Sequence, residues 1–231
     1  MENKFSLPDM ARQNSFIFDF DSTLVTIETL DTLIKQNLSG RENEDARRRI
    51  DEITARAMNG ELDFSASLSE RLRLSKARVE HFARMAAHIA DFVTPGMSEV
   101  VKLLNQKRQK LFIISGGFLK IVRPIAELFG IPDDRRFAND YVADAEGRVV
   151  GVEDGPLAHE GGKSQLVRAL KEQGWLTGTV VMLGDGMSDY QVYADGLADL
   201  FIGCGFNAAR PNVEFLSPVF VKTVAELLEL L

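Results

Sequence analysis

The sequence predicts an α/β fold in which a parallel sheet core is wrapped by helices and a small helical unit is inserted after the first strand. Two observations predict it. Short apolar runs alternate with helical stretches along most of the chain, the pattern left by strands joined through crossover helices. From about residue 30 to 92 that alternation stops, and the sequence becomes charged, helically periodic and free of any strong strand.

The first strand is the apolar run Phe16, Ile17 and Phe18. Within the insert, Ile50, Ile53, Ala57 and Met58 recur at helical spacing and Gly60 supplies a stop. A second helix covers FSASLSERLRL, and Ser75 caps a third whose Val79, Phe82, Met85, Ala86 and Ile89 form one apolar stripe. His81 and His88 lie two turns apart on it, too far for the i, i+4 spacing of a metal pair, and read as solvated or half-buried side chains. Beyond the insert, LFII (111–114), TVVML (179–183) and DLFIG (199–203) continue the sheet, with PVFV (218–221) at an edge. Helices are expected near 97–109, 117–129, 163–173 and 189–195, and Pro124 inside the second requires either a kink or a shifted boundary. FANDYVADAEGRVVGVED reads as a hairpin with strands Tyr141–Ala143 and Arg148–Val152 about a turn at Ala145–Gly147.

At 231 residues, with 45% hydrophobic and 26% charged residues, the chain has the length for one large domain or a domain with a small companion. Its formal net charge of -7 disfavours nonspecific nucleic-acid binding, which needs a basic surface against phosphates. The single cysteine, Cys204, has no intramolecular partner, and no Cys/His cluster has zinc-like spacing. No charged start leads into an apolar stretch, and no apolar run approaches the roughly 20 residues of a membrane span. A cytoplasmic protein is expected, with neither nucleic acid nor membrane as partner.

Three of the strands end in short polar motifs, and ligands of open α/β sheets bind outside the carboxyl ends of strands. DFDST places Asp19 and Asp21 one residue apart where the first strand meets water. A solvated turn with Asp21, Ser22 or Thr23 capping a helix accounts for the pair equally well. IISGGF offers the Ser115 hydroxyl, with Gly116 and Gly117 allowing close backbone approach, a seat for phosphate or simply a glycine turn. MLGDGMSD carries Asp185 and Asp189 around Gly186.

Four carboxylates at two strand ends of one sheet repel one another unless a cation joins them. Asp19 and Asp185, with backbone or water oxygens, make an oxygen-rich site suited to Mg²⁺. Lys163 of HEGGKSQL, at the start of a helix, adds a second positive charge against Asp19. Such a constellation suits in-line phosphoryl transfer, with Asp19 as nucleophile and Asp21 as the acid that protonates the leaving alkoxide and later deprotonates water.

DFDST, ISGGF, GGK and GDGMSD occur in the order and approximate spacing of the haloacid dehalogenase superfamily, and nearly the whole chain resembles its phosphoserine phosphatase family. The resemblance implies a Rossmann-like, haloacid dehalogenase-like core formed by residues 1–29 and 93–231, with residues 30–92 as a small helical cap. It implies Mg²⁺ held by Asp19, the backbone carbonyl of Asp21, and Asp185, with Asp189 supporting that shell and Lys163, and Ser115 and Gly116 in the phosphate-binding motif. For the substrate, it implies Glu28 at the ammonium and Arg71 at the carboxylate of L-phosphoserine, with Met58 and Phe64 as apolar walls. Read without the family, Glu28 and Arg71 are solvated charges. Ser188 stands where family members carry Asn or Thr, which alters the reach of a side-chain contact there. The chain has no room for a regulatory amino-acid-binding domain, so feedback control through one is not expected. The expected function is hydrolysis of this small phosphorylated metabolite through an aspartyl phosphate, in serine biosynthesis. The alternatives are a phosphatase for another metabolite, transfer of the phosphoryl group to an alcohol such as homoserine, and a binding protein that has lost the chemistry.

Overall fold

A computed structural model describes residues 8–58, 62 and 64–231, excepting the side chains of residues 54, 55, 57, 58 and 64. Among these residues a six-stranded parallel sheet forms in the order β3-β2-β1-β6-β7-β8, where β1 is Ser15–Phe18, β2 Lys110–Phe118, β3 Arg136–Asn139, β6 Val180–Gly184, β7 Leu200–Cys204 and β8 Val219–Val221. The two missing numbers, β4 (Tyr141–Ala143) and β5 (Val149–Val152), form the expected hairpin as a separate antiparallel pair. Near-continuous apolar runs form these strands because helices cover both faces. Phe16 and Phe18 pack on one face with Leu111, Ile113, Val181 and Leu183, while Ile17 packs on the other with Phe112, Ile114, Val180 and Met182.

Helices α5 (Met97–Gln106), α6 (Leu119–Leu128) and α10 (Val224–Leu230) cover the first face. Helices α7 (Gly162–Glu172), α8 (Met187–Ala194) and α9 (Pro211–Leu216) cover the second. The chain runs outward from β1 to β3, then returns to β6 beside β1 and runs outward the other way. The topological switch therefore falls between β1 and β6, where a crevice opens at the strands' carboxyl ends.

The insert holds α1 (Thr29–Asn37), α2 (Glu44–Met58), α3 (Phe64–Leu74) and α4 (Val79–His88). Ile50 and Ile53 are buried as their spacing predicts, whereas Gly60 lies outside the described residues. Phe82, Met85 and Ile89 join the core facing α5 and α6. Ser75 does not cap α4. Its hydroxyl donates back to the Leu72 carbonyl at 2.7 Å, and α4 starts after Arg78, whose amide donates to His81 Nδ1 at 3.2 Å. The hairpin is stitched to this junction: Val149 N–H donates to Ala77 O at 2.9 Å, Val79 N–H to Gly147 O at 3.0 Å, and Arg78 to Glu146 O at 2.7 Å.

Two further boundaries differ from expectation. The ISGGF segment continues β2 to Phe118, so α6 begins at Leu119, and Pro124 still lies inside it, its missing N–H leaving the Lys120 carbonyl without a helical donor. β3 was not predicted as a strand of the main sheet, because Phe137 and Ala138 are its only apolar residues. It pairs at the sheet edge with Ile113 and Ile114, and Arg136 there is held by ion pairs to Asp133 and Glu127.

Candidate active site

β1 delivers Asp19 to the switch point, where its amide donates to the Leu183 carbonyl at 2.8 Å. Phe20 turns into the core, fully buried, so Asp19 and Asp21 both face the crevice. Ser22 then adopts φ 52° and ψ 4°, a left-handed conformation uncommon outside glycine and asparagine. Neighbours hold it there. Its hydroxyl donates to Glu28 Oε1 at 2.9 Å, and Asn207 Nδ2 donates to its carbonyl at 3.1 Å. Asp21 Oδ1 accepts the Thr29 amide, the first of α1, at 3.1 Å. Burial of this carboxyl, with Asp19 and Glu28 adding like charge, raises its pKa to about 8 against the weaker opposing bonds from Thr29.

Lys163 enters from the first turn of α7 and is bonded to Asp19 Oδ1 and Asp189 Oδ1, both at 2.6 Å. Burial alone lowers its pKa, but Asp189 and Asp19 outweigh that and hold the ammonium above its ordinary range. Asp189 is fully buried, and its other oxygen accepts the Gly186 amide at 3.1 Å, which draws the start of α8 to Met187, two residues earlier than predicted. Burial and the Asp19 charge raise Asp189 above the usual carboxylate range, with Lys163 opposing. The same two causes raise Asp185, opposed there by Arg210, whose Nε donates to Asp185 at 2.8 Å and whose terminal nitrogen reaches Glu28 at 2.9 Å.

Gly184 makes this clustering sterically feasible. A Cβ at that position would stand 2.3 Å from the Asp189 carboxyl carbon, so Gly184→Ala must push Asp189 off Lys163. That variant should lose about 1–3 kcal/mol of stability, read as a lowered denaturation midpoint, together with most of its activity.

These groups open into one cavity of about 470 Å³. Asp19, Asp21, Lys163, Asp185, Asp189, Ser115, Gly116, Gly117, Ser188, Glu28 and Arg71 all line it, so every predicted site residue whose side chain is described is brought together. The side chains of Met58 and Phe64 lie outside the described part. Ser115 Oγ accepts the Gly117 amide at 2.9 Å, and a Cβ on Gly117 would come within 3.3 Å of Asp21 Oδ2. Asp31, Ser67 and Arg210 also line the cavity and were not singled out from sequence. Arg210 lies six residues beyond the end of β7, in the stretch that follows the strand. Asp31 and Ser67 sit one helical turn from Glu28 and Arg71, the spacing by which sequence reasoning could have found them.

Carboxylate oxygens of Asp19, Asp185 and Asp189 lie within 4.8 Å of one another, and six acidic side chains line the cavity against three basic ones. An all-oxygen donor set with unbalanced negative charge fits a hard divalent cation. Asp189 is already committed to Lys163 and Gly186, which leaves Asp19 and Asp185 as the carboxylates available to it.

Residues 14–195 match the haloacid dehalogenase-like hydrolase family. Human phosphoserine phosphatase is 35% identical over 212 residues, covering 91% of this chain and 90% of the human protein. Among solved structures, a phosphoserine phosphohydrolase-like protein from Francisella tularensis superposes with a TM-score of 0.80 at 30% identity, covering 95% of this chain and 100% of that one. A phospho-aspartyl intermediate analogue of phosphoserine phosphatase superposes with a TM-score of 0.74 at 28% identity, covering 94% and 98%. The similarity extends over nine-tenths of both sequences, and this protein belongs to the phosphoserine phosphatase family of haloacid dehalogenase-like hydrolases.

Proposed function

We propose that this phosphoric monoester hydrolase cleaves L-phosphoserine to L-serine and phosphate, with Asp19 as nucleophile and Asp21 as acid and base. One observation carries the reading: the Asp19–Lys163–Asp189 ion-pair chain, the Ser115–Gly117 turn, Glu28 and Arg71 all face a single cavity. Lys163 engages Asp19 Oδ1 and leaves the other oxygen for attack on phosphorus. As that O–P bond forms and the ester O–P bond breaks, Asp21 gives its proton to the seryl oxygen, a role that suits a carboxyl protonated near neutrality. The same residue, now ionised, takes a proton from the water that attacks the aspartyl phosphate and frees phosphate and Asp19. Ser115 and the Gly116 amide bind the phosphoryl oxygens throughout, while the Gly117 amide orients the Ser115 hydroxyl. Mg²⁺ held by Asp19, the Asp21 carbonyl and Asp185 supplies further charge stabilisation when bound.

Residues 30–92 form the cap of this reading, over a core of 1–29 and 93–231. In support, the two connections run side by side: Thr26 N–H donates to Phe92 O at 2.8 Å and Thr94 N–H to Leu24 O at 3.0 Å. Serine biosynthesis and a cytoplasmic location belong to the same proposal. No helix among the described residues is long and apolar enough to cross a membrane, and the one thiol, Cys204, is buried and unpaired.

Phosphate release should be measured with L-phosphoserine, phosphothreonine, sugar phosphates and pyridoxal phosphate. L-Phosphoserine is expected to be hydrolysed with the highest kcat/KM, a chelator to abolish turnover and added Mg²⁺ to restore it. Turnover of another ester in its place would discard the substrate and keep the chemistry.

A further inference from the structure

Arg71 is mostly enclosed, its side chain 15% exposed, and one terminal nitrogen is ion-paired to Asp31 of α1. Its Nε is buried and has no hydrogen-bond partner among the described residues. A guanidinium carries five donors in a rigid fork, and a buried donor without an acceptor is disfavoured. Both residues line the active-site cavity, so an incoming carboxylate can meet the guanidinium where it faces the cavity while Asp31 keeps its own nitrogen. Asp31 lies three residues after Glu28, which precedes the first turn of α1. Both therefore sit at the start of α1 and line the same cavity, so the one can face a substrate ammonium while the other holds the guanidinium that faces the carboxylate.

We infer that Asp31 is a positioning residue: it clamps the Arg71 guanidinium at a set distance from Glu28, so that the pocket selects α-amino acid phosphates over amine phosphates lacking the carboxylate. This rests on the assignment of Arg71 to the substrate carboxylate. Ser67, one turn before Arg71 on α3 and 3% exposed, walls the same subsite. Without Asp31, the long Arg71 side chain regains rotamers, and part of each carboxylate encounter goes to ordering it again.

The test compares L-phosphoserine with O-phosphoethanolamine, which keeps the phosphate and ammonium but has no carboxylate, on the Mg²⁺-loaded enzyme. Asp31→Asn, nearly isosteric and checked for folding by its melting curve, should lower the kcat/KM ratio of the two by about tenfold, the size of one charge-assisted hydrogen bond. The loss should appear in KM for L-phosphoserine rather than in kcat, and Asp31→Glu should recover part of it. Arg71→Ala, measured alongside, should lower the ratio further. An unchanged ratio in Asp31→Asn, or a lower KM showing that Asp31 competes with substrate, would overturn the inference while Arg71→Ala still collapses the ratio. A ratio that Arg71→Ala leaves intact would overturn the carboxylate subsite and Asp31's role together.

Discussion

Asp19→Asn is expected to lower phosphate release by three to six orders of magnitude, on the order of what removing a nucleophile costs, while the protein stays folded. An amide cannot form the acyl phosphate that the proposed route requires, and no other carboxylate replaces it. Asp21 is held by the Thr29 amide and its raised pKa leaves it mostly protonated, Asp189 is bound by Lys163, and Asp185 by Arg210. The stability side follows from the same contacts. Removing the charge forfeits one bond to Lys163, but it also relieves the repulsion that raises Asp21, Asp185 and Asp189. These effects oppose each other, so the melting temperature should move by no more than about 2–4 °C, the shift of roughly 1 kcal/mol in a domain of this size. A folded, inactive variant supports the mechanism, and a folded variant with turnover near the parent's removes it.

Lys163→Met should be the more damaging change, because it strikes chemistry and stability together. It leaves Asp19 and Asp189 buried within the acidic cluster without their shared cation. Breaking one side of a buried ion pair costs about 3–5 kcal/mol. The cost must depend on pH. Asp189 already has a raised pKa, and without Lys163 it rises further, so the folded state binds more protons than the unfolded one above about pH 4. Stability then falls as pH rises through the folded pKa. The melting temperature of the variant should lie closest to that of the parent near pH 5 and furthest below it near pH 8. A pH-independent difference would mean that lost packing of the lysine stem, rather than uncompensated charge, sets the cost. Activity should fall about as far as for Asp19→Asn, since no other side chain among the described residues holds Asp19 Oδ1.

The sheet was readable from sequence because strands buried on both faces are apolar without interruption, as FIF and VVML are. The polar residues that end them stand out for that reason, and Asp19, Ser115 and Asp185 could be placed at one crevice before any coordinates. β3 escaped because edge strands need no such run, and a buried Arg136 at its start reads as surface. The start of α8 was misplaced because the Asp189 carboxylate accepts the Gly186 amide, a contact that only the fold reveals. Arg210 and Asn207 were missed for a related reason. They follow the last long strand, yet they act on Ser22, Glu28 and Asp185 from the far end of the chain, and pairings of that sequence separation leave no periodic trace. Arg71 and Glu28 needed family resemblance, since a charge at a helix end looks the same whether it faces solvent or a ligand.

The stitching of the hairpin to residues 77–79 has a mechanical consequence. Helices α3 and α4 cannot swing without β4 and β5, so the body above the site is composite, assembled from two stretches of chain that lie far apart in sequence. It joins the sheet at two double crossings, one where residues 24–26 run beside 92–94 and one where the Glu153 amide meets the Asp140 carbonyl at 2.9 Å. Phe82, Met85 and Ile89 anchor the same body to the core that α6 covers. A change in hairpin length would therefore be felt at residues 77–79 and, through them, at α3 and Arg71, without touching the cavity.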